Sequence, residues 1–161
     1  MVQDRDKQPG GPLRWRQLVQ TGGPEALARI LNGMGPSAQA AILAQIEAAD
    51  PDTARAVRAR LFVFADLVRL RSTEIQLLLR QVEQADLVLS LKNATADLKE
   101  TLLAEISARV RRTIEEELEA MGPVRLSAVE EAQQNIVAQV LELAERGQLF
   151  LPRAGDDEVW I

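Results

Sequence analysis

Apolar residues recur along this chain at intervals of three and four, the spacing that brings side chains onto one face of an α-helix. Leu27, Ile30 and Leu31 follow Pro24, a residue suited to the first helical turn, and Gly33 to Pro36 end the run. Ser37 to Ala49 carries Ala41, Ile42, Leu43, Ala44 and Ile46, a broad apolar surface built largely of small residues. Asp50-Pro51-Asp52 stops that helix and caps the next, which runs through Ala54, Val57 and Leu61. Ahead of these three, Leu13 to Gln20 predicts a short helix with Trp15 and Val19, closed by Thr21-Gly22-Gly23. The Gly22-Gly23 pair before Pro24 reads either as an ordinary turn or as a hinge. Short helices joined by tight Pro and Asp turns resemble one armadillo-type unit, whose open ends call for something stacked on them.

Beyond Leu61 the pattern stays helical but the segments shorten. Leu67 to Leu70 is brief. Thr73 and Gln76 have the spacing of a capping box ahead of Leu77, Leu78, Leu79 and Val82. Ala85 to Leu91 predicts a further helix, Thr95 caps one through Leu98, Leu102 and Leu103, and Ser107 caps the next. That helix stops at Met121-Gly122-Pro123. Ser127 and Glu130 form a second capping-box pair, opening a long helix striped with Val129, Ile136, Val137, Val140 and Leu141 and closed by Gly147. Leu149-Phe150-Leu151 is short and extended, predicted to pack back on the core. No stretch longer than three residues reads as a strand, so the predicted fold class is all-α.

Composition then removes most chemistry. The 161 residues include neither Cys nor His, which excludes disulfides, thiolate sites, the usual zinc ligand and the usual general base. No phosphate-cradling glycine loop occurs, and no serine has a lysine at the spacing of a Ser-x-x-Lys pair. Asp156-Asp157-Glu158 reads as a solvated tail, and Glu115, Glu116 and Glu117 splay around a helix, so neither set predicts a metal site. A net charge of -5, with both signs interleaved, argues against nucleic acid as a partner. No apolar run is long enough to span a membrane, and the N-terminus lacks a signal-peptide core, so a soluble intracellular protein is expected. Neither enzyme, metal nor cofactor is predicted.

What remains is a ridge. On a wheel of about 100° per residue, Ile106, Val110, Ile114, Leu118 and Met121 share one side of the helix after Ser107. Glu105, Arg109, Arg112 and Glu116 share the other, with Arg111 and Arg112 adding positive charge beside Arg109. Glu117 falls near the apolar side and is expected to be partly buried or paired, with Arg125 as the candidate partner.

Three blocks carry a family resemblance. Leu61-Phe62-Val63-Phe64-Ala65-Asp66-Leu67 resembles the Met-Phe-Val-Phe-x-Asp-Leu hinge of FliG, the bacterial flagellar motor switch family. Ile75 to Val82 followed by Leu91-Lys92-Asn93-Ala94 is similar to that family's C-terminal domain. So is Met121-Gly122-Pro123-Val124-Arg125-Leu126 with Val129-Glu130-Glu131-Ala132-Gln133 after it. The resemblance runs from about residue 21 to the end. It implies an armadillo-like three-helix unit joined by a hinge to a compact six-helix domain. The implied organisation is a flexible lead over 1–11, a linker helix and armadillo-like unit over 12–60, a hinge at 61–65, and a torque domain over 66–161.

In the family, that domain is the rotor surface meeting the cytoplasmic loop of the stator protein MotA. The resemblance carries stator contact onto Lys92, Arg109, Glu116, Glu117 and Arg125, and hinge roles onto Gly22, Gly23, Leu61, Phe62, Val63 and Phe64. Phe62 and Phe64 are expected to act as pegs seated on either neighbouring unit. FliM, neighbouring FliG subunits and a second copy stacked on the armadillo unit are further implied partners, and the implied location is the cytoplasmic side of the flagellar basal body. The family's FliF-binding N-terminal domain and its FliM-binding Glu-His-Pro-Gln motif are not found in this sequence. A second reading is therefore a stand-alone interaction module that binds a partner or itself through the open armadillo face.

Overall fold

The computed structural model describes residues 12–152. The predicted lead over 1–11, the acidic run Asp156-Asp157-Glu158 and Trp160-Ile161 lie outside the described residues. Every regular element among the described residues is helical, and the chain divides into two units between Leu61 and Phe62.

The first unit holds α1 (Pro12–Asn32), α2 (Pro36–Ala49) and α3 (Pro51–Arg58). Helix α1 is two helices joined at a kink, where Gly23 adopts φ 70°. Pro24 supplies no backbone N–H to bridge that point, and a left-handed φ is open mainly to glycine, so the sequence breaks where predicted. Gly22 is constrained differently, since a Cβ there would sit 2.5 Å from Cβ of Ala26. Asp50 caps α3 as expected, accepting hydrogen bonds from the Thr53 amide at 3.2 Å and the Thr53 hydroxyl at 2.6 Å. Trp15, Leu27, Leu31, Ile46, Ala54 and Val57 are buried together, and Leu61 packs against them.

The predicted faces of this unit are too broad. Ile30, Ala41 and Ala44 are exposed, and α2 buries Gln39 beside Leu43 and Ile46. The glutamine has a reason to be inside. Its Nε2 donates at 2.6 Å to the Leu31 carbonyl in the last turn of α1, which also accepts from the Met34 amide at 3.0 Å.

The second unit comprises a 3₁₀ helix η1 (Phe64–Arg69), then α4 (Ser72–Leu79), α5 (Gln84–Ser90), α6 (Ala96–Leu103), α7 (Ala108–Ala120) and α8 (Leu126–Glu145). Helix α8 is the central element, packing on α5, α4 and η1 through Ile136, Val137, Val140 and Leu143. Phe62 and Phe64 are both buried in this core. The Asp66 carboxylate holds the preceding turn by accepting from the Val63 amide at 2.9 Å.

Helix ends follow the sequence where the signal is local. Thr95 and Ser107 cap α6 and α7 through the Leu98 and Val110 amides. Gly147, at φ 72°, ends α8 with its amide on Ala144 and that of Gln148 on Leu143, a Schellman pair of bonds. Two predicted starts are wrong. Helix α4 is capped by Glu74, which reaches back to the Arg71 amide, so Thr73 already lies in the first turn and Gln76 is free to bond Glu105. Helix α8 begins at Leu126 with no side-chain cap, leaving Ser127 inside the helix. In the closing segment Leu149 is buried while the Phe150 ring stays exposed.

Candidate protein-docking ridge

Helix α7 lies at the edge of the second unit, with Ile114 its one fully buried residue. Ile106, Leu118 and Met121 are half-buried against the core, but Val110, placed on the apolar side by the wheel, is 41% exposed. Three ties from neighbouring elements fix so shallow a helix. Lys92, half-buried after α5, donates from Nζ to the Met121 carbonyl at 2.9 Å, where a cation also suits the negative end of the helix dipole. Gln84 donates to the Glu117 carboxylate at 2.8 Å. Arg111 reaches across to α6, donating to both Glu100 oxygens at 2.6 and 3.1 Å, and also to Glu115 at 2.9 Å.

The sequence-predicted site residues therefore separate. Arg109, Glu116 and Arg125 are exposed, and among the described residues no ion pair engages their side chains. Lys92 is taken up by a backbone carbonyl. Glu117 is neither buried nor paired with Arg125; it is exposed and bonded to Gln84, because α7 sinks too little for a position 60° from Ile114 to be covered. Arg111 is spent internally. Its guanidinium is held well above the usual arginine value by the hydrogen bonds it donates to Glu100 and Glu115, and the Glu100 carboxyl is correspondingly lowered. Arg112 is exposed and unpaired.

Arg125 sits between two exposed apolar residues, Val124 and Leu126, at the turn into α8. Further along α8, Gln133 is a buried amide missed by pattern reading because the residues one turn away, Val129 and Val137, are aliphatic. Gln133 Nε2 donates to the Ser90 carbonyl at 3.0 Å and to Asn93 Oδ1 at 2.7 Å, fixing α8 to the end of α5. Glu74 was missed for the same reason. It is buried and accepts from the Arg71 amide, Arg71 Nε and the Phe150 amide. Burial opposes its ionisation, but bonds from the Arg71 side chain and the Phe150 and Arg71 amides outweigh that and hold its carboxyl below the usual range.

No group of three acidic side chains among the described residues is placed to hold a metal ion. No helix among them is long and apolar enough to cross a membrane. Helix α7 is thus a braced helix that presents charges of both signs at the edge of the second unit.

Comparison with known proteins gives that surface a family. Residues 44–151 match the FliG C-terminal domain model. The chain is 45% identical over 141 residues to the flagellar motor switch protein FliG of Bacillus subtilis, covering 88% of this chain and 42% of that protein. Against FliG of Thermotoga maritima it is 42% identical over 118 residues, 73% of this chain and 35% of the relative. The crystal structure of FliG residues 86–343 from H. pylori superposes with a TM-score of 0.66 at 33% identity, over 85% of this chain and 65% of that one. The chain belongs to the FliG family, whose members are structural proteins of the motor switch and not enzymes. It spans about two fifths of the length of the first of these relatives and about a third of the second.

Proposed function

We propose that this chain is the torque-bearing part of a flagellar motor rotor, with the α7 ridge and Arg125 meeting the cytoplasmic loop of a MotA-type stator. The observation that carries the reading is that Arg109 and Glu116 on the tied-down helix α7, and Arg125 at the turn into α8, are exposed with no ion pair among the described residues. Lys92 and Glu117 serve the same contact by positioning α7. A rotor surface must bind each stator and release it. Exposed ion pairs of roughly 0.2–1 kcal/mol each suit that cycle, because they set encounter and register without holding on. Such a protein works at the cytoplasmic side of the basal body, beside FliM and neighbouring FliG copies. Direction switching then uses Gly22-Gly23 and the Leu61 to Phe64 segment as the two flexing points, the first supported by the left-handed Gly23.

The test is a titration of the whole chain against the purified MotA cytoplasmic loop at low and moderate salt, with Arg109→Glu alongside. Salt-sensitive binding that weakens on charge reversal is expected. A folded chain that binds the loop in neither form refutes the rotor reading and leaves a stand-alone module.

A further inference from the structure

The second unit carries a knob and a cleft that its own packing leaves unused. The knob is Phe150. Leu149 before it is buried and Leu151 after it is half-buried against the core, so the alternation of an extended segment turns the ring between them outward. At 74% exposed it is the barest large apolar side chain among the described residues. Its backbone is nonetheless pinned, because the Phe150 amide donates at 2.9 Å to the buried Glu74 carboxylate. A ring held on a fixed backbone loses little freedom on docking, which is what an interface anchor needs.

The cleft lies between α4 and the start of α7. Leu79, Ile106 and Val110 line it with apolar surface, Arg80 and Glu105 add one charge of each sign, and its volume is about 340 Å³. A bond of 2.9 Å from Gln76 to Glu105 ties its two walls together. A cavity of about 150 Å³ already takes up benzene, so a phenyl ring fits with room to spare. The charges match as well. Arg80 is exposed with no ion pair among the described residues, and so is Glu145, in the last turn of α8 shortly before Phe150. Glu105 is already engaged by Gln76, and Arg71 by Glu74. Knob and cleft are kept apart within one chain. On α4, Gln76, Leu79 and Arg80 point about 120–160° away from Glu74, which holds Phe150, so the two features lie on different sides of that helix.

We propose that Phe150 of one copy of this chain seats in the α4–α7 cleft of a second copy, with Glu145 facing Arg80 across the contact. The contact is head-to-tail. Each docked pair keeps one free knob and one free cleft, so association extends along a row of copies instead of closing at a dimer. One Phe side chain buries about 150–250 Å², far below the ~1,200 Å² of a stable interface. The contact is therefore weak between free chains and counts where copies are held side by side. It uses the second unit alone and does not depend on the stator reading.

The experiment exploits a chain without cysteine. Gln148→Cys, beside the knob, and Ala108→Cys, next to the cleft residue Ser107, both replace exposed side chains. The two whole chains are mixed at high concentration under mild oxidation, and the disulfide-linked dimers are resolved by mass spectrometry. The mixed dimer should exceed each symmetric dimer about 5-fold, where random pairing gives about 2-fold. Phe150→Ala in the Gln148→Cys chain should lower the mixed dimer about 5- to 10-fold without moving the thermal midpoint, because the ring is exposed. Arg80→Glu in the Ala108→Cys chain should lower it about 2- to 5-fold, and Glu145→Arg in the other chain should restore it. A mixed dimer at no more than its random share, or one unmoved by Phe150→Ala, overturns the proposal, as does failure of Glu145→Arg to rescue Arg80→Glu.

Discussion

Replacing Glu74 with glutamine should cost the second unit more than any other change of a single atom type. The carboxylate is 5% exposed, and its two oxygens take three donors: Oε1 the Arg71 amide and Nε, Oε2 the Phe150 amide at 2.9 Å. Glutamine keeps an acceptor toward Arg71 but turns an amino group toward the Phe150 N–H, so two donors face each other. The Arg71 side chain is 69% exposed, so its ion pair contributes little, and the loss is dominated by the two backbone bonds. A hydrogen bond to a charged acceptor contributes about 1.5–3 kcal/mol, and with one such bond lost the midpoint should fall on the order of 10 °C. Thermal unfolding followed by circular dichroism at neutral pH measures this directly. The effect must also carry a pH signature. Glu74 has a folded-state pKa below its ordinary 4.5, so its contribution is complete above that value and is lost as pH falls through the folded value. Parent and variant should therefore converge in acid. A midpoint difference under about 2 °C at neutral pH, or one that persists unchanged below about pH 3, would refute the ionised latch.

Two further outcomes follow from backbone and buried polar geometry. Gly23→Ala forces a side chain into φ 70° and should destabilise the first unit by about 1–2 kcal/mol, read from Trp15 emission during thermal unfolding in a Trp160→Phe background. An unchanged midpoint would show that the kink relaxes at no cost. Gln133→Leu removes the donor to the Ser90 carbonyl and should cost about 1–3 kcal/mol in urea unfolding with m unaltered, whereas Asn93→Ala should cost less because Asn93 is exposed. Equal losses in the two variants would contradict that assignment.

What could be read from the sequence was local. Asp50, Thr95, Ser107 and Gly147 each act on amides or carbonyls within five residues, and each did so where predicted. Glu74 caps α4 with Arg71, not Ser or Thr, at the N-cap position, and its other donor lies 76 residues further on, so no short pattern announces it. Gln133 is equally silent, with partners 40 and 43 residues away. The exposed face of α7 was legible because a wheel needs only periodicity. Which of its charges stay unpaired was not, since Arg111 differs from Arg109 and Arg112 through its pairing with Glu115 and with Glu100, the latter on another helix.

The five residues that family resemblance groups as one contact surface are therefore of two physical kinds. Arg109, Glu116 and Arg125 are exposed with no ion pair among the described residues, and exposed charge of that kind is what a weak, salt-sensitive encounter requires. Lys92 and Glu117 are engaged by the Met121 carbonyl and by Gln84, and both bonds pin α7 to α5 or to the turn that follows it. With only Ile114 fully buried, α7 has little hydrophobic hold on the unit, so those ties and the Arg111 bridge to α6 take its place. A helix so mounted keeps its outer charges in fixed register while burying almost nothing of itself. For the rotor role proposed above, that combination would let the surface push on a partner through individually weak contacts, because the stiffness lies in the mounting and the weakness in the contact.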